Sequence, residues 1–321
     1  MEIIKKNKFF LILSLVGLAL VLIYLFIGLT SKNMYYFLPK RLNKIAAVMV
    51  VSFAIGYSTK IFQTITNNRL ITPSIMGLDS IYIFIQTIII FFTGTATMIT
   101  GLKNLSISII LMVLFSTSLF MIFFKGNKKN IYLIVLAGTV ISSLFSSFTS
   151  YMQIIMDPNE FASLEGKMFA SFSNINEEVL IFCIAVSAFI LLISMKDFSK
   201  YDVLSLGSDY AINLGINYKY LVIKSIIIVA ILVATSTVLV GPIAFLGIIS
   251  VSLARIFSPS YKHGRNTLMC FLVNANLLMI ALVFVEKIFK FSVNISVIIN
   301  FVGGILFIVL LFKEKKDVKS S

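Results

Sequence analysis

The chain of 321 residues is 59% hydrophobic and only 12% charged, and its 27 Lys and Arg against 13 Asp and Glu give a formal net charge of +14. Soluble domains carry about 25% charged residues, so this composition excludes an ordinary soluble domain. Several apolar stretches reach the roughly 18 residues that indicate a membrane-spanning helix, whereas membrane β-barrel strands are shorter and alternate in polarity. The sequence therefore predicts an all-α, polytopic membrane protein in which residues 1–321 form a single transmembrane domain.

Ten apolar segments in chain order predict ten transmembrane helices. The first follows a basic start that resembles a signal peptide, but its apolar part is too long and no small-residue cleavage site follows. The third and the eighth are short, which is tolerated where neighbouring helices or a cavity cover their ends. Because the number is even, both termini lie on the same side. The predicted spans are residues 9–29, 44–64, 79–93, 105–124, 130–152, 178–195, 219–239, 241–257, 267–286 and 294–312.

The basic residues orient these spans. They cluster before span 1, between spans 4 and 5, between spans 8 and 9 and after span 10, and the positive-inside rule makes this face cytoplasmic. The opposite loop at 153–177 is mainly acidic. The net charge thus reflects topology and anionic membrane lipid; nucleic acid is not expected as a partner, because no soluble basic face is present. The cytoplasmic bases are Lys5, Lys6, Lys8, Lys125, Lys128, Lys129, Lys262, Arg265, Lys313, Lys315 and Lys316.

The outer loop "LPKRLNK" at residues 38–44 departs from this rule because it carries Lys40, Arg41 and Lys44. Bases beside a span can extend their head groups to the lipid headgroups. Alternatively, they form an outer basic patch that meets an acidic partner. The sequence leaves both interpretations open.

A polar segment, "ITNNRLITPSIMGLDS" at residues 65–80, follows span 2 on the predicted cytoplasmic face. It is either an ordinary polar turn or a place where Pro73 and Gly77 break a helix. In the second case, Asn67 and Asn68 could form hydrogen bonds with the loosened backbone.

The longest inner loop covers residues 199–217. Ser205 or Ser208 could cap a short helix there, and Gly215 is a typical residue just past a helix end. The apolar residues of this helix repeat at four-residue spacing, so one face is apolar. That face either rests on the bilayer surface or enters a groove on a soluble partner. The repeating residues are Leu206, Tyr210 and Leu214.

Polar side chains inside the predicted spans are the candidates for lining a pathway. In span 5 these are Ser142, Ser146, Thr149 and Ser150. Small polar residues also let membrane helices pack closely, so packing is the alternative interpretation. In span 9, the Asn side chains are expected first to join helices and only second to contact a substrate.

No enzymatic or metal chemistry is indicated. His263 is the only His, and Cys183 and Cys270 lie in apolar segments, so neither a His-based metal site nor a disulfide is expected, and no cofactor is implied. The chain lacks G-x-x-x-x-G-K-[ST], so an ATP-driven function needs a separate ATPase. An ion-coupled secondary transporter of a small solute is the alternative; it predicts a midplane carboxylate or a pair of broken helices, and neither is indicated. A membrane sensor or assembly factor is a third class.

Three motifs in chain order resemble the permease subunits of iron–siderophore and vitamin B12 ABC importers, the FecCD-like family. They follow the patterns R-N-P-L-A-x-P-x-x-L-G, A-x-x-L-G, and G-P-I-x-F-x-G with a later Arg. Each is weak alone, but together they fit a ten-span frame along most of the chain. Within the family, "NNRLITPSIMG" is most similar to permeases for ferric catecholate siderophores such as petrobactin and anguibactin. The matching residues are Asn68, Leu70, Pro73 and Gly77; Ala211, Leu214 and Gly215; and Gly241, Pro242, Ile243, Phe245, Gly247 and Arg255.

The resemblance implies a type II ABC importer permease of the bacterial cell membrane that forms the translocation pathway for a ferric siderophore. The implied partners are two cytoplasmic ABC ATPase subunits, a second and different permease, and a substrate-binding lipoprotein outside the cell. The implied roles are ATPase coupling by Leu206, Gly207, Ala211, Leu214 and Gly215; cytoplasmic gating by Asn67, Asn68, Pro73 and Gly77; and binding-protein docking by Lys40, Arg41 and Lys290.

A few positions depart from the family pattern. Val251 and Ser252 stand where Pro-His often precedes the Arg of the third motif, so no role of that His carries over. Arg69 stands in place of the Pro of the first motif. Glu286 and Lys290 keep the acidic and basic character of an Asp and an Arg near the end of span 9.

Overall fold

A computed structural model describes residues 2–27, 33–69, 71–74, 76–94, 101–124, 131–258, 260–290 and 292–320, and their side chains except at 2–7, 119–124, 131–135, 310, 311 and 313–320. These residues form thirteen α-helices and one π-helical turn, with no strand among them. The all-α fold class is therefore confirmed. The motif residue Leu70 and the predicted cytoplasmic bases Lys125, Lys128 and Lys129 lie outside the described residues.

Each of the ten predicted spans overlaps one helix, while α6, α8 and α9 lie in segments predicted as loops. The π-helical turn Phe284–Ile288 continues α12. The helices are α1 (Glu2–Phe26), α2 (Met34–Thr66), α3 (Leu78–Thr93), α4 (Gly101–Phe124), α5 (Ile131–Ile155), α6 (Pro158–Met168), α7 (Glu177–Met195), α8 (Phe198–Leu204), α9 (Ser208–Asn213), α10 (Tyr218–Val240), α11 (Leu246–Phe257), α12 (His263–Val283) and α13 (Ile295–Ser320).

Length and composition identify membrane spans among these helices. Within the described residues, six segments are long and apolar enough to cross a membrane, and three apolar helices are shorter. A multi-pass membrane protein is therefore supported, and about ten spans are compatible with it. The six are Lys8–Phe26, Met34–Thr66, Gly101–Ser118, Glu177–Met195, Tyr218–Val240 and His263–Ile288; the shorter helices are Leu78–Thr93, Leu246–Phe257 and Ile295–Val309.

Helix α2 forms the centre of the bundle and packs against α7, α10, α11 and α12. A Cβ atom at Gly56 of α2 would lie 3.0 Å from the amide nitrogen of Asn274 in α12, so the missing side chain permits this close approach. That amide donates a hydrogen bond to the carbonyl of Ser52 at 3.1 Å, and the amide of Asn276 donates to the carbonyl of Leu13 in α1 at 3.1 Å. Both Asn side chains therefore join helices, as the sequence predicts.

Helix α11 begins inside the thickness of the bundle rather than at its outer surface. The predicted start at residue 241 is wrong, because Gly241 has a φ of 99° and is followed by proline, so the helix begins only at Leu246. Gly303 packs against Phe245. Since Gly303 lies eight residues after the start of α13, α11 begins about 12 Å along the bundle from that start.

Helix α3 also begins inside the bundle. After α2 ends at Thr66, the chain continues to Gly77, which packs closely against Ser142 of α5. Ser142 lies 11 residues after the start of α5 and 13 before its end, so α3 begins about halfway along α5. The segment "NNRLITPSIMG" is therefore re-entrant, which is tolerated where protein surrounds the non-helical backbone.

The starts of these two interrupted helices meet at one small cavity. Asp79 of α3 and Ala244 before α11 line it, together with Ser58 of α2 and Ser236 of α10. The prediction that no carboxylate lies inside the bundle is therefore wrong. The predicted span 79–93 placed Asp79 at the membrane surface, whereas the re-entrant segment carries it inward. Asp79 lies in the first turn of α3, where the helix dipole favours a negative charge.

Candidate translocation, coupling and docking sites

The predicted gate residues shape both ends of the re-entrant segment. Asn67 ends α2 in the left-handed region with a φ of 47°, and the backbone N–H of Asn68 donates to the carbonyl of Gln63 at 3.3 Å. At the other end, the N–H of Gly77 donates to the carbonyl of Ser74 at 2.9 Å, and the N–H of Met76 donates to that of Pro73 at 3.1 Å. The segment thus leaves one helix and enters the next through two hydrogen-bonded turns.

Two features of residue 77 favour glycine, namely its left-handed backbone conformation and the close approach of Ser142. Its φ of 88° lies in the region that L side chains rarely adopt, and a Cβ atom there would overlap the Ser142 side chain. Ser142 in turn donates a hydrogen bond to Oγ of Ser80 at 2.8 Å. A side chain at residue 77 would therefore displace α5 from α3.

The predicted pathway residues of α5 do not share one environment. Ser142 packs against α3, and Thr149 is buried, with no hydrogen-bond partner for its hydroxyl among the described residues. Ser146 and Ser150 are exposed on the side of α5 that faces away from the bundle, beside the exposed ring of Phe148. Ser142 therefore packs against α3 in this structure, while Ser146 and Ser150 are exposed on the outside of the bundle.

The loop at 199–217 contains two short helices, α8 and α9, where one was predicted. Gly207, with a φ of 123°, precedes α9, and no side-chain hydrogen bond caps that helix, so the predicted capping by Ser205 or Ser208 is wrong. Gly215, with a φ of 80°, follows its end as predicted, and the N–H of Ile216 donates to the carbonyl of Ala211 at 3.0 Å.

The apolar face of this loop points away from the bundle. Leu206, Tyr210 and Leu214 are 65%, 64% and 65% exposed, whereas Ala211 is fully buried. The three side chains are exposed together, but only Tyr210 lies within α9, whereas Leu206 precedes this helix and Leu214 follows it. Large apolar side chains exposed together indicate a contact surface for a partner or for lipid.

An ion-pair cluster connects this loop to the bundle, and sequence reasoning missed it. Asp197, just before α8, accepts hydrogen bonds from Nζ of Lys200 at 2.6 Å and from Nζ of Lys224 in α10. Burial raises the pKa of Asp197, but the hydrogen bonds from both lysines outweigh it and hold the pKa below its usual value. Lys224 lies in the second turn of α10, where it meets this carboxylate. The sequence distance of 27 residues hides the pair.

A second set of contacts ties α8 to α12. The hydroxyl of Tyr201 lies 2.8 Å from Oγ of Ser225 in α10, and its ring stacks on His263 with centroids 4.8 Å apart. The backbone N–H of His263 donates to the carboxylate of Asp202. His263 is therefore a buried packing residue at the start of α12.

The three predicted docking bases differ in exposure. Arg41 is only 7% exposed and donates to the carbonyls of Tyr24 and Leu25 at 2.9 and 2.7 Å, so it closes the end of α1 instead of facing a partner. Lys40 is exposed, with Nζ 4.0 Å from the ring centroid of Tyr36. Lys290 is exposed in a left-handed turn with a φ of 46°. Of these three bases, only Lys40 and Lys290 are exposed.

Helix α6 follows α5 and packs against α3. Asp157 caps it by accepting a hydrogen bond from the N–H of Asn159 at 2.8 Å, and Pro158 occupies its first position. This Asp-Pro pair is the sequence signal that could have predicted the helix. Nζ of Lys167 donates to Oε1 of Gln86 in α3 at 2.9 Å, and burial lowers the pKa of Lys167 to about 8.

The fold is that of a membrane permease of an ABC transporter. A solved inward-facing structure of a metal-chelate type ABC transporter matches it with a TM-score of 0.83 over 96% of this chain and 99% of that chain, at 24% identity. The chain belongs to the FecCD transport family, whose model matches residues 8–313. The resemblance drawn from the three motifs is thereby confirmed, and the chain is a transport component rather than an enzyme.

Two relatives extend the comparison. The chain is 50% identical over 307 residues to the petrobactin import system permease protein YclO of Bacillus subtilis (strain 168). That match covers 94% of this chain and 97% of the relative. It is 30% identical over 278 residues to the petrobactin import system permease protein FatC of Bacillus anthracis. That match covers 86% of this chain and 78% of the relative.

Proposed function

We propose that this chain is a permease subunit of an ATP-driven importer for a ferric siderophore of the catecholate type, with ferric petrobactin as the first candidate substrate. The observation that carries the proposal is the 50% identity to YclO over 94% of this chain and 97% of that protein. The energy comes from separate ATPase subunits, because the chain has no phosphate-binding loop of its own.

Two cytoplasmic ATPase subunits serve the importer, and one docks on the loop that contains α8 and α9. The exposed side chains of Leu206, Tyr210 and Leu214 supply the apolar contact. When ATP binding closes the ATPase pair, the loop is displaced. The ion pair between Asp197 and Lys224 carries that displacement into α10.

A second permease, a related but different chain, completes the translocation pathway. Ser146 and Ser150 are exposed on α5 and face away from this bundle, so a single chain leaves them uncovered. A partner on this side would enclose them. The two chains then rock against each other between outward-open and inward-open states, and the re-entrant segment from Asn67 to Gly77 forms part of the inner closure.

A substrate-binding lipoprotein docks on the outer face at Lys40 and Lys290. Both lysines are exposed, and acidic groups on the binding protein would complement them. Arg41 is not part of this surface because its guanidinium is buried against α1. This assignment rests on an orientation in the bacterial cell membrane with both termini in the cytoplasm, which the positive-inside rule favours.

Iron uptake in cells tests the proposal. The gene is deleted in its native host, and growth is followed with ferric petrobactin as the sole iron source, with and without a plasmid copy. We expect growth to be lost and then restored, while growth on a haem iron source stays unchanged. Equal growth of the deletion strain and the parent on ferric petrobactin would contradict the assigned substrate.

A further inference from the structure

A cavity of about 450 Å³ opens at the inner end of the bundle between α2, α11 and α12. No residue of α5 or α13 lines it among the described residues, so it is separate from the pathway candidates on α5. Its volume falls in the range of small-molecule sites, roughly 300–1,000 Å³.

The wall of this inner cavity is strongly basic. Lys60 of α2, Arg69 just after α2 and Arg255 of α11 all line it, and no Asp or Glu lines it among the described residues. Lys60 and Arg69 carry like charges beside one recess, so an anion bound between them would lower the electrostatic energy of the folded chain. Asp202 also acts electrostatically on Lys60, but it lies outside the wall and accepts the backbone N–H of His263.

A buried amide supplies the second observation. Gln63 lines the cavity and is only 5% exposed, and neither its amide nitrogen nor its amide oxygen has a hydrogen-bond partner among the described residues. Burying an amide without a partner is unfavourable, so a ligand that fills the cavity would satisfy it. Further donors in the wall are the amides of Asn67 and Asn266 and the hydroxyl of Tyr261.

We propose that the inner cavity binds a phosphate-bearing anion, which is either the headgroup of an anionic phospholipid or a free phosphate ester from the cytoplasm. Phosphate suits this wall because Arg presents a fork of N–H donors that matches phosphate oxygens, while Lys adds a point charge. The surrounding amides and hydroxyls provide donors for the remaining oxygens. The proposal uses the cytoplasmic orientation assigned under the proposed function, but it is independent of the identity of the transported chelate.

The position of the cavity gives the bound anion a structural consequence. Ser205, between α8 and α9, lines the same cavity as Lys60 and Arg255. A bound phosphate therefore bridges the coupling loop, the centre of the bundle and α11. Its occupancy sets how firmly the loop is held to α2.

Two measurements on the full-length chain purified without ATPase test this site. In the first, delipidated chain in neutral detergent is titrated with glycerol 3-phosphate at constant ionic strength, and the thermal unfolding midpoint is followed by tyrosine fluorescence. In the second, the chain in nanodiscs of phosphatidylglycerol and phosphatidylcholine is examined by native mass spectrometry for retained phosphatidylglycerol. The first detects a free phosphate ester, and the second detects a lipid headgroup.

The test variant is Lys60→Gln with Arg69→Gln, and Lys262→Gln is the control, since Lys262 is an exposed inner base outside the cavity wall. We expect the double variant to weaken glycerol 3-phosphate binding by at least about tenfold, or to lose retained phosphatidylglycerol, while the control matches the wild type. Either result supports the site and names the source of the phosphate.

Gln63→Met is the second variant, because it keeps the size of the side chain and removes its polar atoms. If the double variant does not fold, the same two measurements on Gln63→Met test the site. The same loss is expected from it. The proposal is overturned if the wild type shows neither response, or if the cavity variants respond like Lys262→Gln. Neither measurement reads transport, so its failure leaves the importer function untouched.

Discussion

Nζ of Lys224 in α10 pairs with Oδ2 of Asp197, the residue that immediately precedes α8. The other oxygen of the same carboxylate pairs with Lys200 of α8 at 2.6 Å. One carboxylate therefore joins the segment that contains α8 and α9 to α10, which packs directly against the central helix α2. This carboxylate is one of the contacts that join this segment to the bundle, together with those of Tyr201 and Asp202.

Replacing Asp197 with Asn should uncouple ATP hydrolysis from transport. The variant leaves Lys224 without its anion, and we expect siderophore uptake to fall about tenfold and the free energy of unfolding to fall by about 1–3 kcal/mol. Uptake and unfolding of the purified complex measure both effects. The swap of Asp197→Lys with Lys224→Asp is the control and should recover part of each loss; no loss in Asp197→Asn would contradict the coupling role.

The same pair makes a pH prediction. Because the pKa of Asp197 is held below its usual value, the stability it contributes is present above the usual Asp pKa of about 3.9 and is lost only as the pH falls through the lowered value. The difference in unfolding midpoint between wild type and Asp197→Asn should therefore be constant from pH 5 to 8. A difference that shrinks within this range would show that the pair is weaker than its geometry indicates.

Leu214→Asp should abolish productive ATPase docking. The side chain is 65% exposed, so the fold tolerates the charge, but an apolar contact with a partner does not. We expect transport and stimulated ATP hydrolysis to drop by more than about tenfold, while membrane insertion stays normal. Leu214→Met keeps the apolar surface and should retain activity. A correctly inserted Leu214→Asp protein with normal transport would rule out this docking surface.

Gly77→Val should impair transport by displacing α5 from α3. Two costs combine, namely the left-handed backbone, at about 1–2 kcal/mol, and the overlap with Ser142. Adding Ser142→Gly removes only the overlap, so the double variant should recover part of the lost stability. Binding-protein docking should persist in both variants, and its loss in a folded protein would place this segment on the outer face.

Lys40→Glu combined with Lys290→Glu should slow association of the iron-loaded binding protein. Exposed rim charges mainly steer encounter, so the effect should be largest at low ionic strength and small at high salt. Surface-binding kinetics across a salt series measure it, and basal ATP hydrolysis should persist. Lys262→Glu reverses one charge on the inner face and should leave association unchanged. Equal association rates for wild type and the double reversal would assign both lysines to lipid contact.

Lys167 should make the protein more stable at alkaline pH. Its pKa is lowered to about 8 by burial, so between about pH 8 and the usual Lys pKa of about 10.4 the unfolded chain holds a proton that the folded chain has lost. Stability then rises with pH. The unfolding midpoint of the wild type relative to Lys167→Met should therefore increase from pH 7 to 10, and a constant difference would contradict the lowered pKa.

The helical type and ten of the thirteen helices were readable from the sequence, because apolar segments of spanning length have few alternatives in a membrane. The short helices α6, α8 and α9 lie in segments predicted as loops. The apolar surface at Leu206, Tyr210 and Leu214 was readable only in part, since the three side chains are exposed together but only Tyr210 lies within α9. The re-entry of the chain before Gly77 was not readable: it depends on the close approach of α5, which Ser142 and Gly138 permit. The exposure of Arg41 could not be predicted from the sequence either. Arg41 stands beside the exposed Lys40, and only the structure shows that its guanidinium donates to backbone carbonyls at the end of α1.

Reconstituted transport tests the central claim most directly. The chain is assembled with its partner permease, ATPase and binding protein in proteoliposomes, and uptake of ⁵⁵Fe-labelled petrobactin is measured with ATP supplied on the cytoplasmic side. The account predicts uptake that needs both ATP and the binding protein, that does not respond to a proton or sodium gradient, and that is lost with Leu214→Asp. Uptake driven by an ion gradient without ATP would contradict it and identify an ion-coupled transporter instead.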